Sequence, residues 1–215
     1  MEMIEVNMMI ESESLKKYIS SLLNKSADEL TVEDLNKIDY ISLKKMNALY
    51  QETDCITGDL IQFKNLKGCT LFKFDVSESD IKNLNRIPKL ESICFDFCEL
   101  NGLNLSINES INRFYFNMCN DLKLKQFKEF TAESLTIIGD ENRKTELNIN
   151  DIERMDNLKR LSINNYEIKN IGMIMDVAPN IEYINIDGST VDSTELNEIK
   201  GKIEISNNER FLLVP

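Results

Sequence analysis

Leu90-Glu-Ser-Ile93-Cys-Phe95, Ile111-Asn-Arg-Phe114-Tyr-Phe116 and Ala132-Glu-Ser-Leu135-Thr-Ile137 are one pattern written three times, at a step of 21 residues. Cys69-Thr-Leu-Phe72-Lys-Phe74 reads as a copy one step earlier. Looser copies follow at Leu158-x-x-Leu161-x-Ile163, Ile181-x-x-Ile184-x-Ile186 and Lys200-x-x-Ile203-x-Ile205. The second apolar position thus falls at 72, 93, 114, 135, 161, 184 and 203. Side chains two apart on a strand face the same way. The second and third apolar positions of each copy are therefore read as inward and the residue between them as outward. A unit of roughly 20–29 residues is one supersecondary element that cannot bury its own apolar face. Stacked copies bury it together, which makes a solenoid whose strands form one parallel sheet.

The first segment falls outside the repeat. From Glu11 to Asn24, Leu15, Tyr18, Ile19, Leu22 and Leu23 follow helical spacing, with Ile10 just before them, and make one apolar stripe. Thr31 caps a second helix, with Glu33 and Asp34 in its first turn, where negative charge suits the helix dipole. Ile41-Ser-Leu43 reads as a first strand. The first unit of a solenoid has no preceding neighbour, so its open end needs cover. Residues 1–60 are accordingly read as an N-terminal helical cap, and 61–215 as repeats closed by a short C-terminal cap. The two form a single structural unit, with Leu60, Phe63 and Leu66 packing inward. In the return segments, Ile81, Leu84 and Ile87 keep helical spacing, whereas Leu100, Leu103 and Leu105 do not. Ile152 and Met155 lie on one helical turn, and Asp140-Glu-Asn-Arg-Lys-Thr145 reads as an exposed loop. The apolar tail Phe211-Leu-Leu-Val-Pro215 is expected to cover the last repeat; its alternative use is contact with a partner or a second copy.

On these copies the chain resembles leucine-rich-repeat proteins of the irregular bacterial kind, over roughly residues 30–208. Leu30-Thr-Val-Glu-Asp-Leu35 looks like the helical cap that precedes such repeats in many Firmicute proteins. The resemblance implies an α/β fold, a solenoid with a parallel sheet on its concave face and an N-terminal helical cap. Members usually carry Asn at the ninth repeat position, where its amide bridges adjacent turns. Here that position reads Ser77, Cys98, Cys119, Asp140, Tyr166, Ser189 and Asn208. Cys is a family substitute there, which implies that Cys98 and Cys119 stack inside the turns. Asp140 and Tyr166 depart from the pattern and mark local irregularity.

Composition narrows the function. A net charge of −12 argues against nucleic acid and against anionic membrane surfaces, and favours a protein partner with a basic surface. Acidic residues near Met1 are unlike a signal peptide, and no apolar run nears the ~18 residues of a membrane span, so a cytoplasmic location is expected. Five cysteines at no framework spacing fit reduced thiols. Histidine is absent, which removes the commonest general base and metal ligand. Cys94 and Cys98 have the wrong spacing for a C-x-x-C site and face opposite ways in the repeat register. No phosphate-binding loop occurs, so neither cofactor, metal nor enzymatic activity is expected.

The outward face of the strands remains. In this register it gathers Leu71, Asp75, Asp96, Phe97, Tyr115 and Met118, with Tyr183 and Asp187 further along. Aromatic and apolar groups ringed by polar ones are how protein contact sites are built. The reading is a non-enzymatic interaction module that binds another protein through its concave sheet, as an adaptor or a toxin-neutralising immunity protein. The alternative is a self-associating structural module that uses the apolar tail.

Overall fold

The computed structural model describes residues 9–44, 56–100, 102–105, 110–120, 122–127 and 130–206. Cys55, Asn208 and the tail Phe211-Leu-Leu-Val-Pro215 lie outside them. The strands among these residues are β1 (Tyr40–Lys44), β2 (Gly68–Phe72), β3 (Ser92–Asp96), β4 (Arg113–Asn117), β5 (Ser134–Ile138), β6 (Glu146–Asn148), β7 (Arg160–Asn164), β8 (Glu167–Lys169), β9 (Tyr183–Asn185) and β10 (Glu204–Ser206). Eight of them form one parallel sheet in the order β1-β2-β3-β4-β5-β7-β9-β10. Strand order follows chain order because each unit stacks only on its neighbours. The architecture is α/β: the helices α1 (Glu13–Leu23), α2 (Val32–Leu35), α3 (Ile56–Asp59), α4 (Glu78–Leu84), α5 (Ile174–Val177) and α6 (Ser193–Ile199) precede the sheet or run in the return segments.

The register corrects the sequence reading at both ends of the repeat array. Ile41 pairs with Cys69, Cys69 with Ile93, Ile93 with Phe114, Phe114 with Leu135, and so on through Leu161 and Ile184 to Ile205. The inward pair of β2 is thus Cys69 and Leu71, at 1% and 0% exposure, rather than Phe72 and Phe74. The 21-residue step holds from β3 to β5 and again from Ile184 to Ile205 (205 minus 184), whereas Cys69 to Ile93 is a step of 24 (93 minus 69). Both frames alternate in sequence. The buried frame is the one in which the small thiol of Cys69 fills a core slot and the chain turns straight after the strand, at Lys73 with φ 61°. At the far end Ile205, not Ile203, stands opposite Ile184.

The N-terminal segment covers the first edge. Ser12 caps α1, and Asn24 ends it in a left-handed conformation at φ 52°. Leu15 and Ile19 are buried, whereas Leu22 is exposed, off the expected stripe. The Tyr18 hydroxyl accepts the Ser42 N–H at 3.4 Å, which occupies a donor on the free edge of β1. Thr31 caps α2 by accepting the Asp34 N–H, and Asp34 returns the bond to the Thr31 N–H at 3.1 Å. β1 lies within 1–60, so that stretch already contributes a full member of the sheet.

The units from β3 to β4 and from β4 to β5 show no α-helix among their described residues and only a 3-10 turn at Leu124–Gln126, although the equally short unit from β9 to β10 carries α6. Phenylalanine fills the space that helices occupy elsewhere. Phe95 stacks on Phe116 at 5.2 Å between centroids, and Phe127 stands edge-on to Phe116 at 5.3 Å and to Phe130 at 5.4 Å. Such pairs add stabilisation beyond their buried area. A second, two-stranded sheet of β6 and β8 on the return side was not foreseen. Each of its strands offers a single buried apolar residue, Leu147 and Ile168, which is too little pattern to read from sequence.

Two outcomes follow from this packing. Leu71→Ala should lower unfolding free energy by about 2–5 kcal/mol in urea denaturation, as deletion of a fully buried leucine does. In the 72/74 frame Leu71 would face out, and the same change would fall within about 0.5 kcal/mol of wild type. Asp34 is buried, and the Lys25 ammonium at 2.7 Å and the Lys37 ammonium at 2.9 Å hold its carboxyl below the usual carboxylate range, helped by the Thr31 bonds. A carboxyl lowered in the folded state stabilises above its unfolded value, near pH 4, and loses that contribution as pH falls. The stability gap between wild type and Asp34→Asn should therefore hold above about pH 5 and shrink on acidification from about pH 5 to about pH 2; a gap that stays constant over that range would contradict it.

Candidate functional site

The concave face has a small polar floor. Between the inward pairs stand Ser42, Thr70, Cys94, Tyr115, Thr136, Ser162 and Asn185, and Tyr115 is the one large side chain among them. It is 39% exposed. Bulkier groups lie along the two rims. On the rim at the strand starts, Tyr40 lies across Gly68, where an added Cβ would come within 2.7 Å of its ring, and its hydroxyl shares a 2.6 Å hydrogen bond with Thr70.

The rim at the strand ends is built by a recurring turn. Lys73, Phe97, Met118 and Asn165 follow their strands at φ 61°, 51°, 49° and 66°, and Gly188 takes the same place at φ 68°. The N–H groups of Lys73, Phe97, Met118 and Asn165 donate across to the next unit, as from Phe97 to the Asn117 carbonyl at 2.8 Å and from Met118 to the Ile138 carbonyl at 2.8 Å. The left-handed backbone costs roughly 1–2 kcal/mol for a non-glycine residue. Glycine would make this turn without that cost, yet Phe97 and Met118 carry large apolar side chains there. Phe97 is 43% exposed and meets Phe72 edge-on, at 5.8 Å between centroids.

The expected site residues divide. Phe97, Tyr115 and Met118 lie together on neighbouring strands, and Asp96 stands beside them, its carboxylate accepting from the Asn117 amide at 2.6 Å. Leu71 is corrected: it is fully buried, because β2 is shifted by three residues from the assumed frame. Asp75 is corrected for the same reason. Phe72, not Asp75, lies opposite Asp96, and Asp75 falls beyond the turn, where it bridges to Glu99. Tyr183 and Asp187 lie half-buried about β9, three strands from Tyr115, and do not join the cluster. Phe72, Lys44 and Tyr40 were missed. The signal for Phe72 was present in the alternation Cys69-x-Leu71, which leaves the next residue outward.

Further along the face, a depression of about 660 Å³ opens beside Tyr115 at the strand starts, lined by Glu91, Arg113, Glu133, Lys159, Arg160 and Glu182 among others. Its charges pair across strands: Lys159 reaches Glu133 at 2.9 Å and Arg113 reaches Glu91 at 3.6 Å. It is a self-neutralised polar border to the cluster.

The cysteines bind the turns together. The Cys98 thiol donates to the Leu71 carbonyl at 3.1 Å and the Cys119 thiol to the Phe95 carbonyl at 3.2 Å. Ser189 does the same to the Ile163 carbonyl at 2.8 Å. Burial pushes the Cys69 and Cys119 thiols up to about 12 and Cys98 up to about 11, which keeps the latter two protonated as the donors their places require. Cys94, half-buried, is raised as well, chiefly by burial. Ser77 is not in this series; it caps α4, and Phe74 takes the equivalent place. Asp140 is exposed, and Tyr166 is buried against Gly139, where a Cβ would lie 2.8 Å from its ring. Among the described residues no group of three or more Cys, Asp or Glu is placed to hold a metal, and no helix is long and apolar enough to cross a membrane.

No family model and no curated protein matches the sequence. Among solved structures, an internalin (inlF) from Listeria monocytogenes aligns over 96% of this chain and 66% of its own, with a TM-score of 0.53 at 13% identity. An internalin-like protein from Listeria monocytogenes, lmo2027, aligns over 89% of this chain and 45% of its own, with a TM-score of 0.33 at 14% identity, too low to extend the comparison. The chain therefore spans just under two thirds of that internalin, and the likeness is one of architecture. Register, cross-strand turns and this likeness together make the chain a leucine-rich-repeat solenoid with a parallel sheet on its concave face.

Proposed function

We propose that this chain binds another protein through the concave face, centred on Phe97, Tyr115 and Met118 with Phe72 beside them. The observation that carries the reading is the pair of large exposed aromatics, Phe97 in the turn that ends β3 and Tyr115 on the neighbouring β4. Aromatic anchors on a preorganised scaffold lose little entropy on binding and dominate interface energy. The surrounding Asp96, Asn117 and Thr136 supply polar groups around the anchors. No step of chemistry is assigned to the face, and the chain acts in this reading without catalysis.

An adaptor, or an inhibitor of the toxin-neutralising kind acting in the cytoplasm, is the form of this function that the net charge of −12 favours, because such a field steers a basic partner toward the molecule. Outward strand positions are themselves mixed, with Lys44, Arg113 and Arg160 among Asp96, Asp187 and Glu204, so the net charge acts on encounter more than on contact.

Phe97→Ala combined with Tyr115→Ala should abolish co-purification of the partner recovered with the tagged wild-type chain, while the unfolding free energy from urea denaturation stays within about 0.5 kcal/mol of wild type. Equal recovery would end the reading. Met118→Gly isolates the strained turn. It should leave stability unchanged or raise it by up to about 1 kcal/mol, yet weaken partner binding. A clear loss of stability would show that Met118 is there for packing.

A further inference from the structure

Resting on the reading above, we propose that the strand-end rim at Phe72, Phe97 and Met118 docks a peptide segment of the partner in which an aromatic or aliphatic side chain stands next to a carboxylate. Four observations converge on that chemistry. The Phe72 and Phe97 rings touch edge to face, so they form one apolar surface instead of two scattered groups. Phe97 and Met118 occupy a left-handed turn position that Gly188 fills in a later unit, and thereby project apolar side chains where the backbone favours none. An outlier of this kind is grounds for a functional hypothesis.

Charge supplies the remaining two. The Lys44 and Lys73 ammonium groups each lie 5.2 Å from the centroid of the Phe72 ring. Cations over a ring are held at the apolar surface instead of being free in solvent. Among the described residues neither ammonium ion-pairs with a carboxylate. Asp96, across the sheet from Phe72, is already engaged by the Asn117 amide. A carboxylate set against Lys44 and Lys73 gains charge-assisted hydrogen bonds, while its neighbouring side chain packs on Phe97 and Met118. A lysine or arginine in that place meets two like charges. The overall charge of −12 works against an acidic segment, so the attraction at this rim has to come from these two ammonium groups.

The test is to pan the whole chain against a displayed library of random seven-residue peptides, then to measure synthetic versions of the selected peptides by fluorescence anisotropy. The expected peptides place Asp or Glu beside Phe, Leu, Ile or Met. Their affinity should fall at least tenfold in Lys44→Glu combined with Lys73→Glu, and at least tenfold in Phe97→Ala. It should also weaken as salt rises, opposite to the trend that net repulsion alone would give. Circular dichroism confirms that each variant is folded. Basic or uncharged peptides that lose affinity in Phe97→Ala but not in the lysine variant would overturn the chemistry proposed here and leave the concave face as the binding surface. Peptides indifferent to both variants, or no selected peptide at all, would overturn this docking site, and indifference to Tyr115→Ala as well would bring down the reading of the face.

Discussion

A five-residue strand that hides two side chains has no stability of its own. Ile93 and Phe95 are buried only because Cys69 and Leu71 stand on one side and Phe114 and Phe116 on the other, in strict parallel register. Every other feature answers to this constraint. The first strand needs a cover, and α1 and α2 with the Tyr18 hydroxyl provide it. The units from β3 to β5 show no return helix among their described residues, and a stack of phenylalanines fills that space. Each chain reversal must be tied to its neighbours by hydrogen bonds: thiols and a hydroxyl donate back to the preceding unit, and the left-handed turns donate forward to the next.

The constraint also explains what was legible in the sequence. Over β3, β4 and β5 the inward residues are Ile, Phe, Leu and Ile at an even step, and the frame was unambiguous. At β2 two frames competed, Cys69 with Leu71 against Phe72 with Phe74. Hydrophobicity and regular spacing favoured the phenylalanines, and the wrong frame followed. What decides it is the turn at Lys73, a backbone property that lysine does not advertise. The three-residue slip carried Leu71 out of the site and Asp75 past its edge, and brought Phe72 in. The core was therefore more legible than the surface, because a burial pattern tolerates local slips and a contact site does not. The helical cap was readable from Thr31 and its first turn, whereas β6 and β8 left no pattern to read.

The strand-end rim shows how stability and use separate on such a scaffold. From β1 to β9 the sheet is held by inward pairs that are buried, which leaves the outward positions free of that packing. Left-handed turns at Phe97 and Met118 spend some of the stability the core provides, and they do so beside the exposed rings. A glycine at those positions would serve the fold alone. Presentation of apolar groups from a sheet whose other outward positions are largely polar or charged is what a binding face requires.

The most direct test of the central claim is site-specific photo-cross-linking in the cells that make the protein. Benzoylphenylalanine placed at Phe97 or Tyr115 probes the concave face, and the same group at Met173 or Leu22, both exposed away from it, probes the return side and the cap. The account predicts a discrete protein adduct from the first two positions and none from the last two. Adducts from Met173 or Leu22 with none from Phe97 and Tyr115 would contradict it.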